Sequence, residues 1–415
     1  MKRKLSNIYF RTLFFLFVLI ALTIIINLKS RTSIITLVVV FCVPYLFNYL
    51  KKEHIYVRTF FITILCLGSA YLFKYLFFLK SASSTGRLLM LEVSISHLPE
   101  NFWLGVGLGK FTQNYPNWQA DFFKNSVNSD VGYFLNAGDS YVIFNEFLQL
   151  FLTIGFIGFF ILVLCLFHFF SRKPLIESAL CEMIKYTLMI ILFSSLTYYT
   201  IHINVVLLLI SLFMAIWLKI TKPPNIIIIK GAQTKVIKLL ICLSSFATFA
   251  YNYEKYDAIN KWWEIKNGLN SSEDKFNPDN NKIYAILNND GKFLAEYGNY
   301  LYENGYPLTT AISCLEKSKG TFISNQTIEH LAYLYLEQKK FNNAIKNFEW
   351  LVNYTPSRFS YRLELIKLYI KISAANKAKK LAEFTLEMPI KIPSSEVVAI
   401  KKEISFLHQQ LLTDN

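Results

Sequence analysis

Cysteine and histidine are scarce in this chain, with six of each among 415 residues. Cys42, Cys66, Cys165, Cys181, Cys242 and Cys314 form no C-x-x-C pair, and five of them lie in or beside apolar stretches. They imply neither a disulfide framework nor a zinc site and read as small packing residues. His54, His97, His168, His202, His330 and His408 show no ligand spacing. No metal and no cofactor is expected. Acidic side chains are short as well, 28 against 43 Lys and Arg, for a net charge of +15. Such an excess can signal nucleic acid, but its position excludes that partner. Residues 1–251 hold 22 basic against 9 acidic side chains, whereas 252–415 hold 21 against 19, so the surplus belongs to the apolar half.

Hydrophobic residues are what the chain has in abundance. They make up 53% of it, 37 of them Phe, more apolar surface than one water-soluble core needs. The chain reads as an all-α, polytopic membrane protein. Crossing about 30 Å of hydrocarbon takes roughly 20 helical residues, and seven stretches approach that length: 9–28, 33–50, 58–79, 147–170, 181–199, 201–218 and 234–251. The first follows a basic Lys2-Arg3-Lys4 start without a small-residue cleavage site, so it is expected to stay as an anchor. Basic residues of short loops fall mainly on one side (Lys51, Lys52 and Arg58; Arg172 and Lys173; Lys219, Lys222 and Lys230). The positive-inside rule then puts the N-terminus inside, and both 80–146 and the C-terminal region outside.

Five regions follow: three spans in 1–79, an external loop at 80–146, four spans in 147–251, a linker helix at 252–289, and a soluble helical domain at 290–415. In the last, Leu331, Ala332, Tyr335, Phe341, Ala344, Phe348 and Pro356 fall at the spacing of a tetratricopeptide repeat, with weaker copies on either side. Three helix pairs is near the minimum for a stacked core. Such repeats offer a concave surface to a protein partner or serve as a structural cap, and both readings stay open. Trp262, Trp263, Tyr253 and Tyr256 suit an interfacial aromatic belt.

The loop is long enough to be functional. Thr85 is expected to cap a short amphipathic helix with Leu88, Leu91, Ile95 and Leu98 on one face. Arg87, the loop's one arginine, would then sit in the first turn, where free N–H groups and a guanidinium converge on a diphosphate. A surface arginine reaching to lipid headgroups accounts for it too. Gly105, Gly107 and Gly109 follow no strand and lack a βαβ unit, which excludes a dinucleotide fingerprint; they permit a tight, closely packed turn. Among the loop's rings, Trp118 is a candidate platform for a sugar face, with packing as the alternative. Asp139 and Glu146 are the nearest carboxylates for deprotonating an acceptor hydroxyl, although Glu146 equally suits a helix start.

Ser84-Thr85-Gly86-Arg87, the glycine word Leu104 to Phe111, and Asn145-Glu146-Phe147-Leu148-Gln149 running into Ile154-Gly155-Phe156-Ile157-Gly158 occur in that order between hydrophobic spans. In this the chain resembles the bacterial O-antigen ligase/polymerase family. Thr355-Pro356-Ser357-Arg358-Phe359 and Pro389-Ile390-Lys391-Ile392-Pro393-Ser394-Ser395 extend the resemblance to members with a repeat tail. The resemblance implies a metal-independent glycosyltransferase of the inner membrane. It would move a glycan from an undecaprenyl diphosphate carrier to a glycan or lipid A-core acceptor at the periplasmic face, with Arg87 on the diphosphate and Gly105, Gly107, Asn145 and Gln149 lining the site. Two departures are visible. Many ligases carry His just before the Asn of the N-x-x-L-Q word, where this chain has Phe144; and ten or more spans are usual, so the chain reads as N-terminally shortened. A non-catalytic scaffold of a surface-glycan pathway, docking partners through its repeats, is the alternative function. Because the repeats hold no residue assigned to chemistry, removing 290–415 is expected to leave some turnover.

Overall fold

A computed structural model of the chain describes residues 81–125, 130–175, 179–221, 232–268 and 282–413, with isolated positions between 12 and 74. The three spans expected at 9–28, 33–50 and 58–79 lie outside the described residues, apart from those isolated helical positions. Every regular element among the described residues is helical, as an all-α chain requires. In chain order these are α1 (Ser81–Ser96), α2 (Phe111–Asn125), α3 (Val131–Asn136), α4 (Glu146–Phe170), α5 (Ala179–Ser194), α6 (Asn204–Ile220) and α7 (Ala232–Lys266). There follow α8 (Lys282–Leu287), α9 (Gly291–Glu303), α10 (Leu308–Ser318), α11 (Asn325–Glu337), α12 (Phe341–Tyr354), α13 (Phe359–Lys371), α14 (Ala375–Glu387) and α15 (Ser395–Thr413).

The chain divides into two compact units. The first comprises 1–87, 142–151 and 158–224, the second 88–141, 152–157 and 225–415. In the first, α4 begins where the Asn145 side chain accepts a hydrogen bond from the Leu148 N–H (3.0 Å), an N-cap that satisfies one orphan donor of the first turn. Its 25 residues cover about 38 Å, enough to cross a bilayer. α7 passes the same test. The helices at the two remaining expected spans, α5 and α6, have only 16 and 17 residues, separated by a turn that includes a 3-10 segment, Thr200–His202. They pack through Cys181, Ile184, Leu188 and Trp217 against Phe169, and the Trp217 indole N–H reaches the Phe169 carbonyl (3.0 Å).

In the second unit helices pack in consecutive pairs, α9 with α10, α11 with α12 and α13 with α14, with α15 closing the stack. Ala311, Ala332, Ala344, Ala378 and Ala382 are wholly buried, because only a small side chain lets paired backbones come this close. Pro356 follows α12, where a helix cannot continue. The loop is part of this body: α2 lies along α12, the buried Gln119 donates to the Tyr354 carbonyl (2.8 Å) and the Trp350 indole donates to Asn117 (3.0 Å). The sequence reading set 80–146 apart from 290–415; the structure packs α2 of the loop against α12 and groups 88–141 with 225–415 in one unit. Trp262 is a second correction. Rather than joining an interfacial belt, it is 4% exposed and packs edge-on against Phe293, Tyr297 and Tyr300, because α7 continues past its apolar stretch into the core of the paired helices.

Candidate active site

In the second unit the glycine word meets a break in α4. Gly155 has φ 66° inside that helix, so the carbonyls before it and the N–H groups after it lose their helical partners. The segment 102–107 replaces them. Val106 and Gly107 donate to the Leu152 and Thr153 carbonyls (2.8 and 2.9 Å), while Phe156 and Ile157 donate to the Phe102 and Trp103 carbonyls (2.7 and 3.3 Å). Backbone this irregular is tolerated at membrane depth only when protein supplies its hydrogen bonds. Gly105, at φ 70°, allows the approach: a Cβ there would lie 2.5 Å from the Thr153 carbonyl carbon, and one on Gly155 would lie 2.4 Å from the Trp103 oxygen. The tight turn read from Gly105 and Gly107 is therefore a plug in a broken helix.

In the first unit, Arg87 is not at a helix start. α1 is already helical at Ser81, so Thr85 lies inside it and is not its N-cap. Arg87 instead places its Cζ 4.2 Å from the centre of the Phe144 ring and donates from Nη1 to the Thr197 carbonyl (3.3 Å). The ring quadrupole attracts the cation and helps hold it there. Phe144 also packs on Tyr199, whose ring stacks on Tyr198 at 4.2 Å.

Glu146 is 2% exposed. Burying a carboxylate is costly unless donors surround it, and three do. Its Oε1 accepts from the backbone N–H groups of Ile201 (2.8 Å) and His202 (3.3 Å) and from His202 Nδ1 (2.9 Å). Gln149 accepts from the Ile143 N–H through Oε1 (2.8 Å), which turns its Nε2 toward His202 Nε2 at 3.3 Å. With Nδ1–H given to Glu146, the hydrogen bonds assign the Nε2 lone pair to the side facing Gln149. The His202 side chain is 42% exposed while its carboxylate partner is 3% exposed: a buried acid orients an accessible imidazole.

The structure thus joins Glu146 and Gln149 to a residue the sequence reading passed over, with Arg87 held on Phe144 two residues before Glu146. His202 sits in the turn between α5 and α6, and its only sequence signal is the polar-aromatic run Thr197 to His202 between two apolar stretches. Asn145 contributes the cap of α4. Asp139 and Trp118 belong to the second unit. Asp139 Oδ1 accepts from the Asn325 N–H at the start of α11 (3.1 Å), and burial together with this carboxylate pushes the neighbouring Tyr141 hydroxyl up to about 12. Trp118 is 7% exposed and stacks on His97 at 5.0 Å, so its face is spent on packing.

Comparison with known proteins gives one family. Residues 16–163 match the family model described as O-antigen ligase, a stretch that holds Arg87, the glycine word and Asn145 to Gln149 and ends before His202. No curated protein matches the chain.

Proposed function

We propose that this chain is a membrane glycosyltransferase of the O-antigen ligase or polymerase type, acting on undecaprenyl-diphosphate-linked glycan at the periplasmic face of the bacterial inner membrane. The observation that carries this reading is the grouping of Arg87 with the Glu146–His202–Gln149 relay, from residues mostly inside the family match. In the reaction, an acceptor hydroxyl attacks the anomeric carbon of the donor glycan and the carbon–oxygen bond to the carrier diphosphate breaks. Arg87 offsets the negative charge gathering on the departing diphosphate, an interaction that grows toward the transition state. The hydroxyl proton goes to His202 Nε2, which exchanges its long contact with Gln149 for the acceptor. Glu146, holding Nδ1–H, stabilises the imidazolium that forms, as a buried acid does for the histidine of a hydrolase triad.

The packing of α2 on α12 supports placing loop and helix pairs on one side of the membrane, as the even number of spans expected between them would also do. The exposed apolar side chains of Trp103, Leu104 and Leu108 suit a segment lying at the lipid surface. The test is release of the free carrier: purified full-length protein, given a polyprenyl-diphosphate glycan and an acceptor without metal or nucleotide, liberates carrier diphosphate in step with glycan transfer. Folded protein without turnover, whose deletion in cells still abolishes surface glycan, would establish the scaffold function instead.

A further inference from the structure

Two sequence words have no part in the chemistry above: Thr355 to Phe359, before α13, and Pro389 to Ser395, before α15. In the second unit they line one cavity of about 610 Å³ together with Gly138 and Asp139 of the loop. That volume lies within the range of small-molecule sites. Its charged wall is mixed, with Arg358 and Lys391 offering cations and Asp139 and Glu396 offering carboxylates. A simple anion would meet the carboxylates, and a simple cation the guanidinium and ammonium. The ligand that satisfies both carries many hydroxyls, which donate to carboxylates, and an acid group for the cations.

We infer that this cavity binds an oligosaccharide bearing a carboxylate, the acceptor or growing glycan of the proposed transfer; the inference rests on that reading for the ligand's role, not for its binding. The wall is preorganised. Asp139 is fixed by the Asn325 N–H (3.1 Å), Arg358 is tied to the Tyr361 hydroxyl (3.3 Å), and the Ser394 hydroxyl accepts from the Val397 N–H (3.2 Å). Ile392 stands 69% exposed at the same wall, an apolar edge suited to the C–H face of a sugar ring. Arg358 and Lys391 are exposed, so neither is needed for the core.

The experiment titrates full-length protein in detergent with an oligogalacturonate hexamer, with neutral chitohexaose and with citrate. The hexamer binds, citrate does not displace it, and chitohexaose binds at least about tenfold more weakly, the worth of one charge-assisted hydrogen bond. Arg358→Ala and Lys391→Ala each weaken the hexamer by on the order of tenfold with unchanged thermal unfolding. Arg87→Ala leaves this binding intact, so the cavity is tested whether or not the chain turns over. Absence of hexamer binding, equal competition by citrate, or loss on Arg87→Ala with retention on Arg358→Ala overturns the inference. Where turnover is measurable, Lys391→Ala raises the KM for acceptor and leaves kcat unchanged.

Discussion

The two units use the same side chains to different ends. Arg362 in the second is 5% exposed and directs both Nε and Nη2 to the Pro356 carbonyl (3.3 and 3.0 Å) under the Phe384 ring; burial pushes its guanidinium down to about 10. Arg87 in the first lies over a ring too, that of Phe144, two residues before the carboxylate that orients His202. Gln119 accepts from the Tyr115 hydroxyl and donates to two backbone carbonyls, all structural, whereas Gln149 ends on His202. Arg362 and Gln119 in the second unit are consumed by such latches. In the first unit Glu146 and Gln149 converge instead on His202, a group that faces outward, and this difference separates a scaffold from a site.

The comparison breaks most visibly if the second unit is cut. Since α2 packs on α12, removing 290–415 strips the loop of its partners, so turnover is lost entirely and the loop becomes sensitive to trypsin. Retention of half the wild-type carrier release would mean that the loop folds without the repeats. Reading 290–415 as a separable domain predicts instead that some turnover survives, and this deletion decides between the two.

Within the first unit, His202→Ala lowers kcat by about a hundredfold or more, the usual weight of a general base, with little change in KM for donor. Glu146→Gln lowers it too, and the double variant falls scarcely further than His202→Ala alone, because the two act as one relay. Strictly additive losses would separate them. Next in size, Arg87→Lys keeps the charge but loses the planar fork, reducing kcat/KM at least about tenfold, roughly 1.4 kcal/mol of transition-state stabilisation. Arg362→Lys, by contrast, shifts the melting temperature and leaves kcat alone. If both arginine variants change only stability, the distinction between the units fails.

How much of this was legible beforehand depended on the range of the signal. The helix pair around Ala332 and Ala344 could be read because burial repeats along the helix face. Arg87 stood out as the loop's one arginine, and the Asn145 word through the family resemblance. Three things required distance in sequence. Glu146 and His202 are 56 residues apart and join only because α5 and α6 stop short and leave a turn between them. The plug at Gly105 needs the break at Gly155, since neither glycine alone announces a partner. Arg87 was expected at a helix start because Thr85 is a good cap by type, yet nothing in Ser81 to Ser84 breaks a helix, and α1 runs through them.

The smallest effect tests whether the caps of the second unit are as purely structural as the comparison holds. Asp290 caps α9, its Oδ1 accepting from the N–H groups of Lys292 and Phe293 (both 3.1 Å), while Oδ2 pairs with Lys255 of α7 at 2.9 Å. Partial burial by itself raises this carboxyl's pKa, but Lys255 and the two backbone donors outweigh it and hold the group below the usual carboxylate range. The unfolded chain, with an ordinary aspartate near 3.9, binds its proton first as pH falls. The stabilisation is therefore complete above about pH 5 and is lost through the window from about pH 4 down to the lowered native value. Asp290→Asn keeps an oxygen for the cap but gives up the ion pair, so it costs up to about 1 kcal/mol near neutrality and flattens the acid limb of the melting curve. Melting temperatures of wild type and variant, followed from about pH 7 to about pH 3, converge at the acid end if the cap acts this way; parallel curves would assign the acid sensitivity to other carboxylates. Carrier release at neutral pH stays at the wild-type rate, because Asp290 stabilises the repeat unit and takes no part in the chemistry around Arg87 and His202.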